Sequence, residues 1–133
     1  MKLTTWKRRK YVPKWGGNFE DDAPCSVLFT PPTIGWMARW RELVIQAPAF
    51  AKEATAALEN GEAPSLDWEA SVTVFREELI RDLVVAVDDL FDEDRAMPLD
   101  KALDFIVENP GLRDEVFEHI IGQGQVTTNE GKD

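Results

Sequence analysis

Three groupings in the chain carry the side chains that do chemistry. His119 follows Glu115 by four residues, a spacing that puts both on one helix face, where a histidine and a carboxylate can exchange a proton. No nucleophile accompanies them, so the pair reads as a surface contact. Cys25 lies in an apolar stretch with Asp21 and Asp22 nearby and lacks the electropositive setting that lowers a thiol pKa. Asp88, Asp89, Asp92, Glu93 and Asp94 bring five carboxylates into seven residues. A calcium loop counted from Asp92 needs an oxygen ligand at its fifth position, glycine at its sixth and glutamate at its twelfth; it finds Ala96, Met97 and Leu103. The cluster reads as a solvated acidic turn or a docking patch for a basic partner, with adventitious metal binding as the remaining alternative.

There is no phosphate-binding glycine loop, no nucleophile elbow and no paired histidine at metal spacing. We therefore expect no catalytic, metal or cofactor residues, and a protein that is not an enzyme. At 133 residues the chain is the size of one domain, and its 44% hydrophobic and 30% charged composition is that of a globular one. Its single cysteine excludes an intrachain disulfide, and an intracellular setting is expected. The basic start has no apolar stretch behind it to make a signal peptide, and no window is apolar enough to suggest a membrane span.

Fifteen basic against twenty-five acidic residues give a net charge of −10, which disfavours nucleic acid as a partner. The charge is unevenly spread. Residues 1–15 hold six basic groups and no acidic one, which leaves nine basic and twenty-five acidic residues, a balance of −16, in the rest. Around Lys7, Arg8, Arg9 and Lys10 stand Trp6, Tyr11 and Trp15. Such an arm can track phosphates and stack on bases, dock on the acidic body of its own chain or a neighbour, or remain solvated. Docking between copies would set the arm against the acidic cluster at 88–94.

These features need elements to hold them. Val12 to Asp22 is rich in turn residues, with Pro13, Gly16, Gly17 and Asn18. Cys25 to Thr30 alternates as a strand, and the Tyr11-Val12 segment or the basic run before it can close a hairpin across the glycines. Pro31 and Pro32 stop the strand, and Thr33 caps a helix whose stripe is Trp36, Trp40, Leu43 and Val44. Pro48 ends or kinks that helix, Ala49 to Leu58 continues as helix, and Asn60-Gly61 stops it. The longest stripe, Trp68, Val72, Phe75, Leu79, Leu83, Val87 and Leu90, predicts a central helix of roughly 35 Å. The acidic cluster would then sit at its C-terminal end, where the helix dipole disfavours negative charge.

Two shorter helices follow. Pro98 opens one with Leu99, Leu103, Ile106 and Val107 inward. Asn109-Pro110 opens the last, with Val116, Phe117, Ile120 and Ile121 inward and Gly122 as its stop. The expected fold is mainly α: about five helices with a short N-terminal β-hairpin. Residues 1–24 form the arm and turn, 25–121 the body and 122–133 a mobile tail.

The wording Tyr11-Val12-Pro13-Lys14-Trp15-Gly16-Gly17-Asn18, a short strand ending in Thr30-Pro31-Pro32-Thr33, and a helical body resemble the tail assembly chaperones of long-tailed, siphovirus-type bacteriophages. The likeness covers most of the chain in layout and about 25 residues in wording. The family's wording has an acidic residue where Lys14 stands and a charged rather than Trp-rich first helix. The resemblance implies a non-enzymatic protein of the host cytoplasm that binds the tape measure protein, aids assembly of tail tube protein and self-associates. It also implies a longer frameshifted form, for which Gly131-Lys132 would be the coding site. Independently of it, Trp36, Met37 and Trp40, beside Trp6 and Trp15, offer more aromatic and apolar surface than a small core covers. They join Arg8, Arg9, Tyr11 and the acidic cluster as candidate partner-binding residues; alternatively, Trp36, Trp40 and Trp68 meet in one core. The rival functions are a nucleic-acid-binding regulator acting through the arm, and a structural head–tail connector or tail subunit.

Overall fold

The computed structural model describes residues 8–65 and 67–130, with side chains to residue 124. Trp6 and residues 131–133 lie outside it. The described residues form a small, mainly α domain: four α-helices, one 3₁₀ turn and a three-stranded antiparallel sheet near the N-terminus. Strand β1 (Arg9–Tyr11) pairs with β2 (Ser26–Phe29), with Arg9 opposite Phe29 and Tyr11 opposite Val27. This is the expected hairpin, and its loop contains the 3₁₀ turn Trp15–Glu20. Gly16 and Gly17 adopt φ of 63° and 75° there, a conformation other residues reach only under strain.

The third strand differs from expectation. Helix α2 (Asp67–Leu83) stops seven residues before Leu90, and β3 (Val84–Asp88) crosses to the other edge of β2. Val84, Val85, Ala86 and Val87 fit a helical stripe, but they are equally a β-branched strand run, and β2 supplies the ladder. The dipole conflict at the acidic cluster therefore does not arise. The helix ends with Arg81 in its last turn, as its dipole favours, and the cluster occupies a turn and a small hairpin, β4 (Phe91–Asp92) with β5 (Arg95–Ala96).

Helix α1 (Ile34–Glu59) begins at Thr33, whose hydroxyl accepts the Trp36 amide at 3.3 Å, and stops at Asn60-Gly61 with Gly61 at φ 73°. Pro48 neither ends nor divides it. The proline leaves the Val44 carbonyl without its helical donor, and Val44 is exposed to water. The neighbouring Leu43 carbonyl accepts the Trp68 indole N–H at 2.8 Å, so α2 braces α1 beside the break. The pairs Trp36–Asp82, Arg39–Glu78 and Leu43–Trp68 run antiparallel. With about 1.5 Å per residue, the 26-residue α1 outreaches the 17-residue α2.

Helix α3 (Leu99–Glu108) buries Ala102, Leu103, Ile106 and Val107, but Leu99, expected inward, is 40% exposed. Pro98 is the cap residue rather than the first helical one. Helix α4 runs from Pro110 to Glu130, so Gly122 does not stop it. A methyl group at Gly122 would meet nothing within 4 Å, while one at Gly124 would sit 2.5 Å from Met37 Sδ and 2.7 Å from Pro32 Cγ. Gly124 lets the helix pass over α1 and the proline pair. Core residues from β2, β3 and all four helices meet around Phe29, Phe75 and Phe117.

Candidate functional site

The N-terminal arm is built into the body from Arg9 onward. Tyr11 donates its hydroxyl hydrogen to Glu115 at 2.6 Å, the Lys14 amide donates to the same oxygen at 2.6 Å, and Arg9 hydrogen-bonds Gln123. Tyr11 stacks on His119 with ring centroids 3.9 Å apart, and Phe29 meets the same imidazole edge-on at 5.5 Å. Burial, then the Glu115 carboxylate, pushes the Tyr11 hydroxyl up to about 12. Burial, then the Arg9 charge, lowers the His119 pKa against an upward pull from Glu115. The histidine and glutamate paired in the sequence reading thus share a strap that fastens β1 to α4. Here Glu115 is held by Tyr11 and Lys14.

Asn18 holds the turn. Its side-chain nitrogen donates to the Pro13 and Cys25 carbonyls at 2.8 and 2.9 Å, and its oxygen accepts the Cys25 amide at 2.8 Å. Trp15 meets Phe105 edge-on at 5.9 Å and lies over Gly111, where a methyl group would approach its Nε1 to 3.2 Å. The Tyr11-to-Asn18 wording thus has a structural account: strap, buried proline, lid, two left-handed glycines and a hub.

The other candidates separate. Arg8 and Lys10 are exposed, whereas Arg9 is half-buried and turned to the body, where it meets Gln123. Trp36 and Trp40 both pack on Phe75, at 5.6 Å, and Trp40 also meets Phe117 at 5.0 Å. Trp68 is apart from them, stacked on Phe50 at 5.2 Å. The three do not meet in one core. Met37, a candidate for exposed apolar surface, is buried at 3% exposure beneath α4 and unavailable to a partner. Val44, expected on the inward stripe, is 47% exposed.

Asp88, Asp89, Asp92, Glu93 and Asp94 are all exposed, and Asp89 and Glu93 adopt φ of 58° and 57° in their turns. Among the described residues no group of three or more His, Cys, Asp or Glu side chains is arranged to hold a metal ion. Cys25 is half-buried. Burial, then Asp89 and Asp88, raises its pKa, the reverse of what a nucleophilic thiol requires.

Two concavities were not legible in the sequence. One is a groove of about 440 Å³ between α1 and α2, lined in equal measure by apolar side chains (Leu43, Ala70, Val74, Phe75) and polar ones (Arg39, Glu42, Gln46, Ser71). Val74 is 51% exposed there and falls outside the predicted stripe. The other is a narrower, mainly apolar cleft of about 190 Å³ under Trp15, formed with Cys25, Val27, Leu90, Phe105 and Leu112. Phe105 was missed because it lies off the inward set expected for α3. Among the described residues, no helix is long and apolar enough to cross a membrane. The chain matches no family model, no curated protein and no solved structure.

Proposed function

We propose that this chain is a non-enzymatic binding protein whose α1–α2 hairpin holds apolar helical segments of a larger partner during assembly. The observation that carries this reading is the open α1–α2 groove, in which the half-exposed Val74 stands beside Leu43 among polar side chains. Val44, Ile45 and Leu58 are further exposed apolar side chains of α1, outside the groove lining, at 47%, 75% and 66% exposure. Surface of this kind on a chain of net charge −10 suits a holder that must stay soluble while it covers a partner. An amphipathic helix laid into such a groove anchors through residues at i, i+3, i+4 and i+7.

With the resemblance in its turn and strand wording, the role is that of a phage tail assembly chaperone. It covers the tape measure protein in the host cytoplasm while tail tube protein assembles around it. The test is binding of helical segments of a tape measure protein to the full chain and to a Val74→Glu variant. Val74 is half out of the core, so the variant keeps its melting temperature and loses at least tenfold in affinity. Unchanged affinity in a folded variant rejects the groove as the site.

A further inference from the structure

We propose that the cleft under Trp15 receives the basic, Trp-bearing N-terminal segment of a second copy of this chain. The inference rests on a different surface from the α1–α2 groove and stands or falls separately.

The cleft is lined mainly by apolar side chains, yet it is open to solvent and has room for one large side chain. Trp15 forms its lid at 40% exposure, and Phe105 and Leu112 form its wall. Its rim is acidic. Asp21 lines it directly, Glu20 and Asp22 flank Asp21, and Asp88 sits opposite Ser26 in the sheet, next to Cys25. Among the described lining residues none is Lys or Arg, and Lys14 is the one basic neighbour along the turn. The thiol of Cys25 feels the same field: burial first, then Asp89 and Asp88, pushes its pKa upward. An apolar slot within an acidic rim calls for an apolar anchor followed closely by positive charge.

Leu3-Thr4-Thr5-Trp6-Lys7-Arg8 has that composition, and Trp6 is the one tryptophan of this sequence followed directly by two basic residues. With Trp6 seated, Lys7 and Arg8 fall within about 7 Å along the chain, at roughly 3.3 Å per residue, which is the reach of the rim carboxylates. The direction of β1 favours a second copy as the source. Arg9 pairs with Phe29 and Tyr11 with Val27, so Arg8, the first described residue, lies at the Phe29 end of the sheet. The cleft opens at the other end, beside Cys25 and Val27. A segment arriving from a neighbour needs no reversal across the sheet.

The experiment uses the full-length chain. Sedimentation should show association that weakens as salt rises, because exposed charges are screened. An Asp21→Lys, Asp88→Lys variant, altered only at exposed positions, should keep its melting temperature and associate at least tenfold more weakly. A Lys7→Glu, Arg8→Glu variant should do the same, and mixing the two should restore association. Thr5→Cys, which keeps Trp6 as the anchor, with native Cys25 and mild copper–phenanthroline oxidation, should give an interchain disulfide between position 5 and Cys25 that Cys25→Ser abolishes. A chain that stays monomeric at every concentration overturns the proposal. So does a position 5–Cys25 link formed within one chain, or association that neither charge reversal alters.

Discussion

Two glycines two residues apart should respond oppositely to the same substitution. Gly122 and Gly124 both lie inside α4, where exchanging glycine for alanine stabilises a helix by about 1 kcal/mol. At Gly122 nothing stands within 4 Å of the new methyl group, so Gly122→Ala should gain that full amount. At Gly124 the methyl would lie 2.5 Å from Met37 Sδ and 2.7 Å from Pro32 Cγ. Met37 is buried and the proline ring is stiff, so neither gives way freely. Overpacking of this kind costs about 1–3 kcal/mol, and two contacts under 3 Å put Gly124 in the upper part, about 2–3 kcal/mol; set against the helical gain, Gly124→Ala should destabilise by about 1–2 kcal/mol. At this chain length each kcal/mol moves the melting temperature by roughly 3–5 °C, so the two variants should melt about 6–15 °C apart. Thermal and urea denaturation read by circular dichroism measure both. Equal stabilisation in the two variants would refute the packing of α4 over α1 and return the helix end to Gly122. Met37→Ala and Gly124→Ala together should cost less than the sum of the two single losses, because the two residues touch.

Asn18→Ala removes three hydrogen bonds from a half-buried hub and should cost about 2–3 kcal/mol in urea denaturation; a change under 0.5 kcal/mol would show the turn holding itself. Tyr11 is the single tyrosine, so absorbance near 295 nm reports it alone, and it should titrate near 12 in the folded chain. Its folded pKa is raised above the ordinary 10.0, so its share of stability is complete below pH 10 and is lost as pH climbs toward 12. Glu115→Gln should bring that titration down. His119 has the opposite sense: its folded pKa is lowered, so stability is full above the ordinary 6.5 and falls as pH drops below it. Replacing His119 with phenylalanine keeps a ring between Tyr11 and Phe29 and should flatten that acid-side loss, measured as melting temperature against pH.

The parts of the fold that local signals control were legible in the sequence. Thr33 capping α1, Asn60-Gly61 ending it, and the β1–β2 hairpin across two glycines each depend on residues within a few positions of one another. Val84 to Val87 was not legible, because an unbroken apolar run satisfies both helical and strand periods. What decides it is the free edge of β2, more than fifty residues away. The α4 end failed for a related reason. Glycine is a stop signal by default, and only the presence of Met37 and Pro32 against Gly124 turns it into a spacer. Of the site, the sequence yielded the aromatic and charged inventory but not its partition. Trp40 went inward onto Phe75 and Phe117 and Met37 beneath α4, while Val74 was left outside. Tyr11 and Glu115 are 104 residues apart, and no periodicity joins them.

That separation bears on how the protein is made. A ribosome adds about 5–20 residues per second, so some 5–20 s pass between the synthesis of Tyr11 and that of Glu115. During that interval the α1–α2 hairpin can form, whereas β1 has neither the carboxylate nor the imidazole that hold it down. Maturation of the N-terminal strap is therefore tied to completion of α4. A nascent chain halted before Glu115 should present the β1 segment Arg9–Tyr11 to proteases that the finished protein turns away.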